Sequence, residues 1–430
     1  MKTVIMAGGR GTRISSVAGD IPKPMIRIGD KPVLEHELEC LRDQGFTDIL
    51  ITVGHLGHVI MDYFGDGSGA SPVTGKPFGV NISYYVETEP LGNAGALLQL
   101  KEALTEDFLL LNADAMFDVD FNRFVQYHNQ NGGLVTLFTH PNSHPYDSGL
   151  IVTDARGCVT QWLTKEDPRP EFYRNCVNAG LHILSPKVLD VEISTQKVDL
   201  DRQLLKPLGG SGKMFAYSSP EYVKDMGTPE RYADVCADYE SGKIRARNLK
   251  NPQRAIFLDR DGTINQYVGF LRNPSEFSLL PGVAEAIRKI NASGNLAILV
   301  TNQPVIARGE VTQEMLHQIH NKMETLLGEQ GAYLDAIYYC PHHPHKGYPG
   351  EIAELKIDCD CRKPKPGMLK KAEAAYGIDL AGSWMIGDSD SDIAAGRAAG
   401  CQTALICDVC KDCGQTVTVN SLLDFVDRIL

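Results

Sequence analysis

Two apolar runs, each ending in an abrupt turn, constrain the fold more than any other feature of this chain. The first is Thr3-Val4-Ile5-Met6-Ala7, followed by Gly8-Gly9-Arg10-Gly11-Thr12-Arg13. The second is Ala255-Ile256-Phe257-Leu258, followed by Asp259-Arg260-Asp261-Gly262-Thr263. A short run without polar alternation reads as a strand buried on both faces, as in parallel sheets covered by helices. Two such openings, far apart in the chain, imply two domain starts. The length of 430 residues fits two or three domains at roughly 150 residues each. Residues 241–254 (SGKIRARNLKNPQR) are polar and basic, with only Ile244 and Leu249 as bulky apolar residues, and they follow a helical pattern over 231–239. They read as a linker, so the expected domains are 1–240 and 255–430, joined by 241–254.

Within each part, strand-like and helical segments alternate. The first part has expected strands at 49–53, 108–111 and 134–138, and helices at 34–44 and 94–104. The second has strands at 297–300, 336–339 and 384–386, and helices at 283–291, 313–327 and 367–375. Alternating β and α predicts mostly parallel sheets with helices on both faces: an α/β chain of two Rossmann-like three-layer domains.

Composition narrows the partners. Lys and Arg number 42 against 54 Asp and Glu, a net charge of −12, with 43% hydrophobic and 22% charged residues. That is globular, not disordered or fibrous. A net anion argues against nucleic acid and membrane surfaces, but local cations and a metal can still build a site for phosphorylated small molecules. The apolar opening stops at Gly8, too soon for a signal-peptide core, and no apolar run approaches the ~18 residues of a membrane span. Eleven cysteines, an odd number clustered late, suggest metal binding in a reducing compartment, so a cytoplasmic protein is expected. The composition leaves room for a homo-oligomer.

Gly8, Gly9 and Gly11 would let backbone N–H groups approach a polyphosphate closely. Arg13 and Lys23, the latter held between Pro22 and Pro24, add positive charge. The loop lacks the GxxxxGK[ST] spacing and is not a P-loop. Together with PLGNAGAL (90–97), LNADAMF (111–117), VNAGLHILSP (177–186) and KDMGTPERY (224–232), the stretch resembles the sugar-1-phosphate nucleotidyltransferase family, and within it the heptose-1-phosphate guanylyltransferases. The resemblance implies a GT-A-like domain that uses GTP or another NTP. It assigns Arg13 to the leaving phosphates and Lys23 to the α-phosphate. It also assigns Asp114 and Asp225 to Mg²⁺, Gly8 and Gly92 to the base and ribose, and Asn178 and Lys165 to the substrate. Thr164 stands where the family often has an acid before this lysine.

Asp259 and Asp261 lie two apart at the end of a strand, so both carboxylates face one site. Thr301-Asn302-Gln303, Lys363 and Asp388 follow in order, each after or near an apolar run. The set resembles the haloacid-dehalogenase phosphatase superfamily. That resemblance implies Asp259 as nucleophile, Asp261 as acid and base, Mg²⁺ on Asp259, Asp388 and the Asp261 carbonyl, and Thr301 and Lys363 on the phosphoryl oxygens.

Cys340, His342, Cys359 and Cys361 form a Cys₃His set suited to a closed structural Zn²⁺ site. His343 and His345 are expected as exposed loop residues, and Cys407, Cys410 and Cys413 as thiols without a metal. FLDRDGT, TNQ…IARG, YYCPHHP and CDCRKPKPGM resemble the heptose-1,7-bisphosphate 7-phosphatases. That implies Tyr267, Phe270, Asn302, Gln303 and Arg362 as substrate contacts, with Pro304 where the family often has Ser. The histidinol-phosphate phosphatases share the zinc clip but usually have a shorter loop.

The expected function is therefore bifunctional. One half removes the 7-phosphate of heptose 1,7-bisphosphate, and the other joins heptose 1-phosphate to GMP with release of pyrophosphate. Two alternatives are a hexose-1-phosphate nucleotidyltransferase fused to another phosphatase, and an inactive nucleotide sensor fused to an active phosphatase.

Overall fold

The computed structural model describes residues 1–9, 14, 19–191, 197–407 and 412–430. Gly11, Arg13 and Cys410 lie outside the described residues. The chain divides into two compact units. One holds Met1–Thr139, Ile151–Leu163 and Asn178–Asn248, and the other holds His140–Leu150, Thr164–Val177 and Leu249–Leu430. In the second unit the Tyr173 N–H donates to Thr325 Oγ1 at 2.9 Å, which ties one of the early segments to a later helix.

In the first unit the strands are β1 (Thr3–Ala7), β2 (Arg27–Ile28), β3 (Lys31–Pro32), β4 (Asp48–Val53), β5 (Asn81–Val86), β6 (Phe108–Asn112) and β7 (Ala115–Asp118). They continue as β8 (Val135–His140), β9 (Leu150–Thr153), β10 (Val159–Leu163), β11 (Val177–Leu184), β12 (Met214–Ser218) and β13 (Tyr222–Asp225). The main sheet runs β10-β9-β11-β6-β1-β4-β5, with β8 and β12 off this path. β6, β1, β4 and β5 are parallel neighbours, and β11 turns antiparallel against β6. Val4 and Ile5 are fully buried, as an unalternating run requires. Strand order reverses around β1, whose partners β4 and β6 are later in sequence and lie on opposite sides. The crevice beyond the C-terminal end of such a strand is where open α/β sheets bind ligands.

The second unit repeats the device with a six-stranded sheet, β16-β15-β14-β17-β18-β19. These strands are β14 (Ala255–Leu258), β15 (Leu296–Asn302), β16 (Ala336–Cys340), β17 (Trp384–Gly387), β18 (Gln402–Ile406) and β19 (Val417–Val419), all joined in parallel. β14 sits at the reversal, with β15 on one side and β17 on the other. Its four residues are all buried. Asp259, Thr301 and Asp388 therefore emerge at one edge of the sheet.

One expected helix needs correction. The pattern over 94–104 is not one helix. It is a short α-helix, Gly95–Gln99, followed by a 3₁₀ turn, Lys101–Ala103. Leu97, Leu100 and Leu104 are buried as the spacing requires, but the backbone tightens at Leu100, and apolar spacing alone does not distinguish the two courses. The segment 241–254, expected as a linker, contains the boundary between the two units at Asn248 and Leu249. It holds a short helix, Lys243–Ala246, and buries Ile244, Arg247, Asn248 and Leu249. Arg247 Nε donates to the Pro220 carbonyl at 3.0 Å and Asn248 Nδ2 to Asp118 Oδ1 at 2.6 Å. Its polar residues are packed through hydrogen bonds, which a count of bulky apolar side chains overlooks.

Candidate functional site

In the first unit the loop after β1 opens on a cavity of about 920 Å³, lined by Gly8, Gly9, Lys23, Gly92, Asn112 and Asp114 among others. Lys23 is 8% exposed, and its Nζ lies 2.7 Å from Asp114 Oδ2. Asp225, distant in sequence, is brought beside Asp114 by the antiparallel pairing of β7 and β13. Asp225 pairs with Ala115, and the Met226 N–H donates to the Asp114 carbonyl. Burial works to raise the Asp225 carboxyl, but the Arg231 guanidinium at 2.9 Å and the Gly227 N–H outweigh it and hold it below its ordinary value. Asp225 is not among the described residues that line the cavity, and both its oxygens accept from Arg231 Nη1 at 2.9 Å, whereas the Asp114 carboxylate at the cavity is the kind of hard oxygen donor that suits Mg²⁺.

Asn178 and Lys165 are not among the described residues that line this cavity. Asn178 lies on β11, where its Oδ1 faces His182 Nε2 at 3.1 Å and accepts from the Gly180 N–H. Lys165 is half exposed and pairs with Asp147 at 2.8 Å.

Glu37 was missed in the sequence. It is fully buried on the helix Val33–Arg42, and neither carboxylate oxygen has a hydrogen-bond partner among the described residues. Burial, and then the Asp114 charge, push its carboxyl well above the usual range. The signal was present, because Glu37 occupies the apolar face that also carries Leu34, Leu38 and Leu41.

In the second unit Asp259 follows β14 directly. Lys363 Nζ lies 2.8 Å from Asp259 Oδ1 and 2.5 Å from Asp392 Oδ1, with all three residues buried. Asn302 holds the backbone of Lys363 from both sides: its Oδ1 accepts the Lys363 N–H, and its Nδ2 donates to the Lys363 carbonyl, each at 3.0 Å. Asp392 gives its other oxygen to the Ser389 N–H and hydroxyl, which caps the helix Asp390–Ala399. Candidate metal-ligand oxygens of Asp259, Asp388 and Asp392 lie within 4.8 Å of one another. Burial raises Asp259 to about 7, opposed by Lys363 and aided by Asp392. Burial, then Asp392, raises Asp388 to about 6. Carboxylates crowded this closely, with one lysine to offset them, suit a hard divalent cation.

Gly262 makes this crowding feasible. Its φ is +82°, and a Cβ there would lie 2.0 Å from Asp388 Oδ2. Gly262→Ala is expected to lose about 1–2 kcal/mol to the left-handed backbone alone. It should also displace Asp388, lowering both the melting temperature and phosphate release. Full phosphatase activity in this variant would mean that the Asp388 position is not needed.

Asp261 has partners that the sequence did not reveal. Arg260, fully buried, donates through Nη2 to both Asp261 oxygens at 3.1 and 2.9 Å, and to Gln303 Oε1 at 2.9 Å. Gln303 Nε2 reaches Asp261 Oδ2 at 3.0 Å and Thr301 Oγ1 at 2.9 Å. Arg260 Nη1 lies 3.3 Å from His320 Nε2. Burial and the Arg260 charge hold His320 well below its usual value, so it accepts as a neutral ring. Nothing in the sequence links His320, in the middle of the helix Gln313–Gly328, to the Asp-Arg-Asp turn.

Tyr267 is 65% exposed, and Phe270 is exposed with the Arg308 guanidinium 4.2 Å from its ring centre. The same guanidinium lies 4.5 Å from the ring centre of Tyr348.

Cys340, His342, Cys359 and Cys361 meet as expected. The sulfur–sulfur distances are 3.5, 3.2 and 3.3 Å, and His342 Nδ1 lies 3.6 and 3.3 Å from Cys340 and Cys361. Thiolates about 2.3 Å from a tetrahedral zinc stand roughly 3.8 Å apart, so the set fits with small adjustment. Cys361 is pulled down to about 5, first by the Cys340 thiol. Arg362, next to the clip, donates to the His342 carbonyl at 3.2 Å. His343 is a correction: it is buried, not exposed, with its ring 5.4 Å from those of His345 and Tyr348 and its Nε2 3.4 Å from Arg308. His345 is exposed. Among the described residues no helix is long and apolar enough to cross a membrane.

The nucleotidyl transferase family profile matches residues 2–242, and a HAD-hydrolase-like profile matches residues 360–408. The chain belongs to the nucleotidyl transferase family, and carries a HAD-like phosphatase in the same polypeptide. It is an enzyme with nucleotidyltransferase and phosphatase activities. The chain is 43% identical over 152 residues to the D-glycero-beta-D-manno-heptose-1,7-bisphosphate 7-phosphatase of Yersinia pestis, covering 35% of this chain and 79% of that protein. It is 30% identical over 237 residues to the mannose-1-phosphate guanyltransferase of Saccharomyces cerevisiae, covering 54% of this chain and 63% of that protein's length. The solved structure of HddC from Yersinia pseudotuberculosis is 27% identical, with a TM-score of 0.46, and covers 55% of this chain and 99% of that one.

Proposed function

We propose that the two sites catalyse successive steps on one sugar: removal of the 7-phosphate from heptose 1,7-bisphosphate, then guanylyl transfer from GTP to heptose 1-phosphate. The observation that carries this is the fusion itself. A phosphatase similar to heptose-bisphosphate phosphatases shares a chain with a transferase similar to guanyltransferases of sugar 1-phosphates. The product of the first is the substrate class of the second.

In the phosphatase half, an Asp259 oxygen attacks phosphorus while the bond to the sugar oxygen breaks, and Asp261 protonates the leaving oxygen. Asp261 then takes a proton from water, which attacks the aspartyl phosphate and frees Asp259 and phosphate. Lys363 and Thr301 face the phosphoryl oxygens, and Asn302 fixes Lys363. A divalent ion held by Asp259, Asp388 and the Asp261 carbonyl would supply further charge neutralisation. Tyr267, Phe270 and Arg362 border the sugar.

In the transferase half, a phosphate oxygen of the sugar 1-phosphate attacks the α-phosphorus of GTP, and the bond to the β-phosphate breaks to release pyrophosphate. Lys23 holds the α-phosphate, Arg13 the leaving phosphates, and Gly8 and Gly92 the nucleoside. Asp114 and Asp225 would hold Mg²⁺ there. Asn178 and Lys165 are assigned to the sugar. This assignment supports a cytoplasmic location, where nucleoside triphosphates are made.

The test is a substrate panel. Phosphate release should favour heptose 1,7-bisphosphate over histidinol phosphate, and pyrophosphate release from heptose 1-phosphate should favour GTP over ATP, CTP and UTP. The opposite order in either assay overturns the corresponding half. The zinc clip makes a separate prediction. Cys359→Ala should lose zinc and lower phosphatase activity, because Arg362 and Lys363 sit beside Cys361, while guanylyl transfer persists. Equal zinc content in wild type and variant, by elemental analysis, would remove the clip from the account.

A further inference from the structure

Asp261 must hold one position through two proton transfers, first to the leaving oxygen and then from water. Its side chain is 20% exposed, and three residues grip the carboxylate. Arg260 donates through Nε and Nη2 to Oδ1 at 3.3 and 3.1 Å, and through Nη2 to Oδ2 at 2.9 Å. Asn265 Nδ2 reaches Oδ1 at 3.1 Å, and Gln303 Nε2 reaches Oδ2 at 3.0 Å. A side chain as long as arginine fixes its neighbour only if its own far end is fixed. Two groups fix it. Gln303 Oε1 accepts from Nη2 at 2.9 Å, and His320 Nε2 lies 3.3 Å from Nη1. A guanidinium only donates, so Nε2 is the unprotonated nitrogen of the ring. His320 is buried on the helix Gln313–Gly328 with Leu316, Ile319 and Met323, and its ring lies 5.9 Å from that of Tyr339. Gln303 is buried too, with its amide committed to Arg260, Asp261 and Thr301.

We propose that His320 and Gln303 are positioning residues: they clamp the Arg260 fork, and the fork holds the Asp261 carboxylate at the leaving oxygen. This rests on the assignment of Asp261 as acid and base in the phosphatase half. The guanidinium is planar and its N–H directions are fixed, so anchoring its far edge sets the plane in which it meets a carboxylate. A buried N–H left unpaired at Nη1 would be costly, so an acceptor is needed there. A carboxylate in that place would compete with Asp261 for the arginine. It would also add an anion to a site where the oxygens of Asp259, Asp388 and Asp392 already crowd within 4.8 Å. A neutral imidazole accepts the hydrogen bond and does neither. Burial and the Arg260 charge keep the ring neutral. Gln303 thus acts through Asp261 and Arg260, not by contact with the sugar.

The test uses the full chain with Mg²⁺ and two leaving groups. The sugar oxygen of heptose 1,7-bisphosphate leaves as a strongly basic alkoxide and needs a proton in the transition state. p-Nitrophenolate is a stable anion and leaves without one. His320→Leu should lower kcat for the bisphosphate by about 10–100-fold, the cost of misplacing a proton donor, with KM little changed. Single-turnover release of p-nitrophenolate from p-nitrophenyl phosphate needs the Asp259 attack but no proton, and should be unchanged. His320→Gln, whose amide oxygen restores an acceptor, should recover most of the loss. Arg260→Lys keeps the buried charge without the fork and should behave as His320→Leu does; it decides the question if thermal unfolding shows the leucine variant to be unfolded. An equal fall with both leaving groups overturns the proposal, because it marks a general disturbance of the site. So does wild-type kcat in the folded His320→Leu or Arg260→Lys enzyme, or a glutamine variant no better than the leucine one. Asp261→Asn should lower bisphosphate turnover at least as far as His320→Leu. If it keeps full turnover, the acid and base reading of Asp261 fails, and this assignment with it.

Discussion

Asp259→Asn is expected to abolish phosphate release while leaving guanylyl transfer to supplied heptose 1-phosphate intact. The amide is the same size, so Lys363 keeps its place through Asp392 and the two backbone hydrogen bonds from Asn302. What is lost is the nucleophile. Removing a covalent nucleophile costs on the order of 10⁴–10⁶ in rate. The fold should tolerate the change, because burial and nearby carboxylates already oppose the Asp259 charge. Phosphate release from the bisphosphate, pyrophosphate release from the monophosphate and thermal unfolding should be measured on one preparation. A folded variant that loses both activities would end the case for independent sites.

Lys23→Ala should do the reverse. Loss of a cation from the α-phosphate in the transition state costs about 3 kcal/mol, roughly a hundredfold in rate. The structure adds a second consequence. Asp114 loses its partner at 2.7 Å, so its carboxylate is left without a neutralising lysine. Lys23→Met preserves much of the volume and separates charge from packing. With bisphosphate and GTP, both variants should accumulate heptose 1-phosphate. Undiminished nucleotide-sugar formation by Lys23→Met would remove Lys23 from the transferase site.

Much of this was legible in the sequence because the chemistry sits at strand ends. The apolar runs before Gly8 and Asp259 predict buried parallel strands, and both are central strands where the sheet order reverses. The Cys₃His set was readable because its ligands are chemically distinctive and come in two tight pairs. Side chains that act through tertiary contact were not readable. Arg260 sits between two conspicuous aspartates, yet its partners Gln303 and His320 come from other elements. His343 looked like one of a run of loop histidines, and its burial depends on Tyr348 and Arg308 closing over it. The helix expected over 94–104 failed for a different reason: an α-helix and a 3₁₀ turn can bury the same three leucines.

By this mechanism one chain converts a sugar bisphosphate into a nucleotide sugar. Mass spectrometry of products from heptose 1,7-bisphosphate, GTP and Mg²⁺ with the intact chain tests it most directly. The expected product is GDP-heptose, with phosphate and pyrophosphate released in equal amounts. Phosphate release that stops at heptose 1-phosphate with GTP, ATP, CTP and UTP alike, or no phosphate release at all, would contradict it.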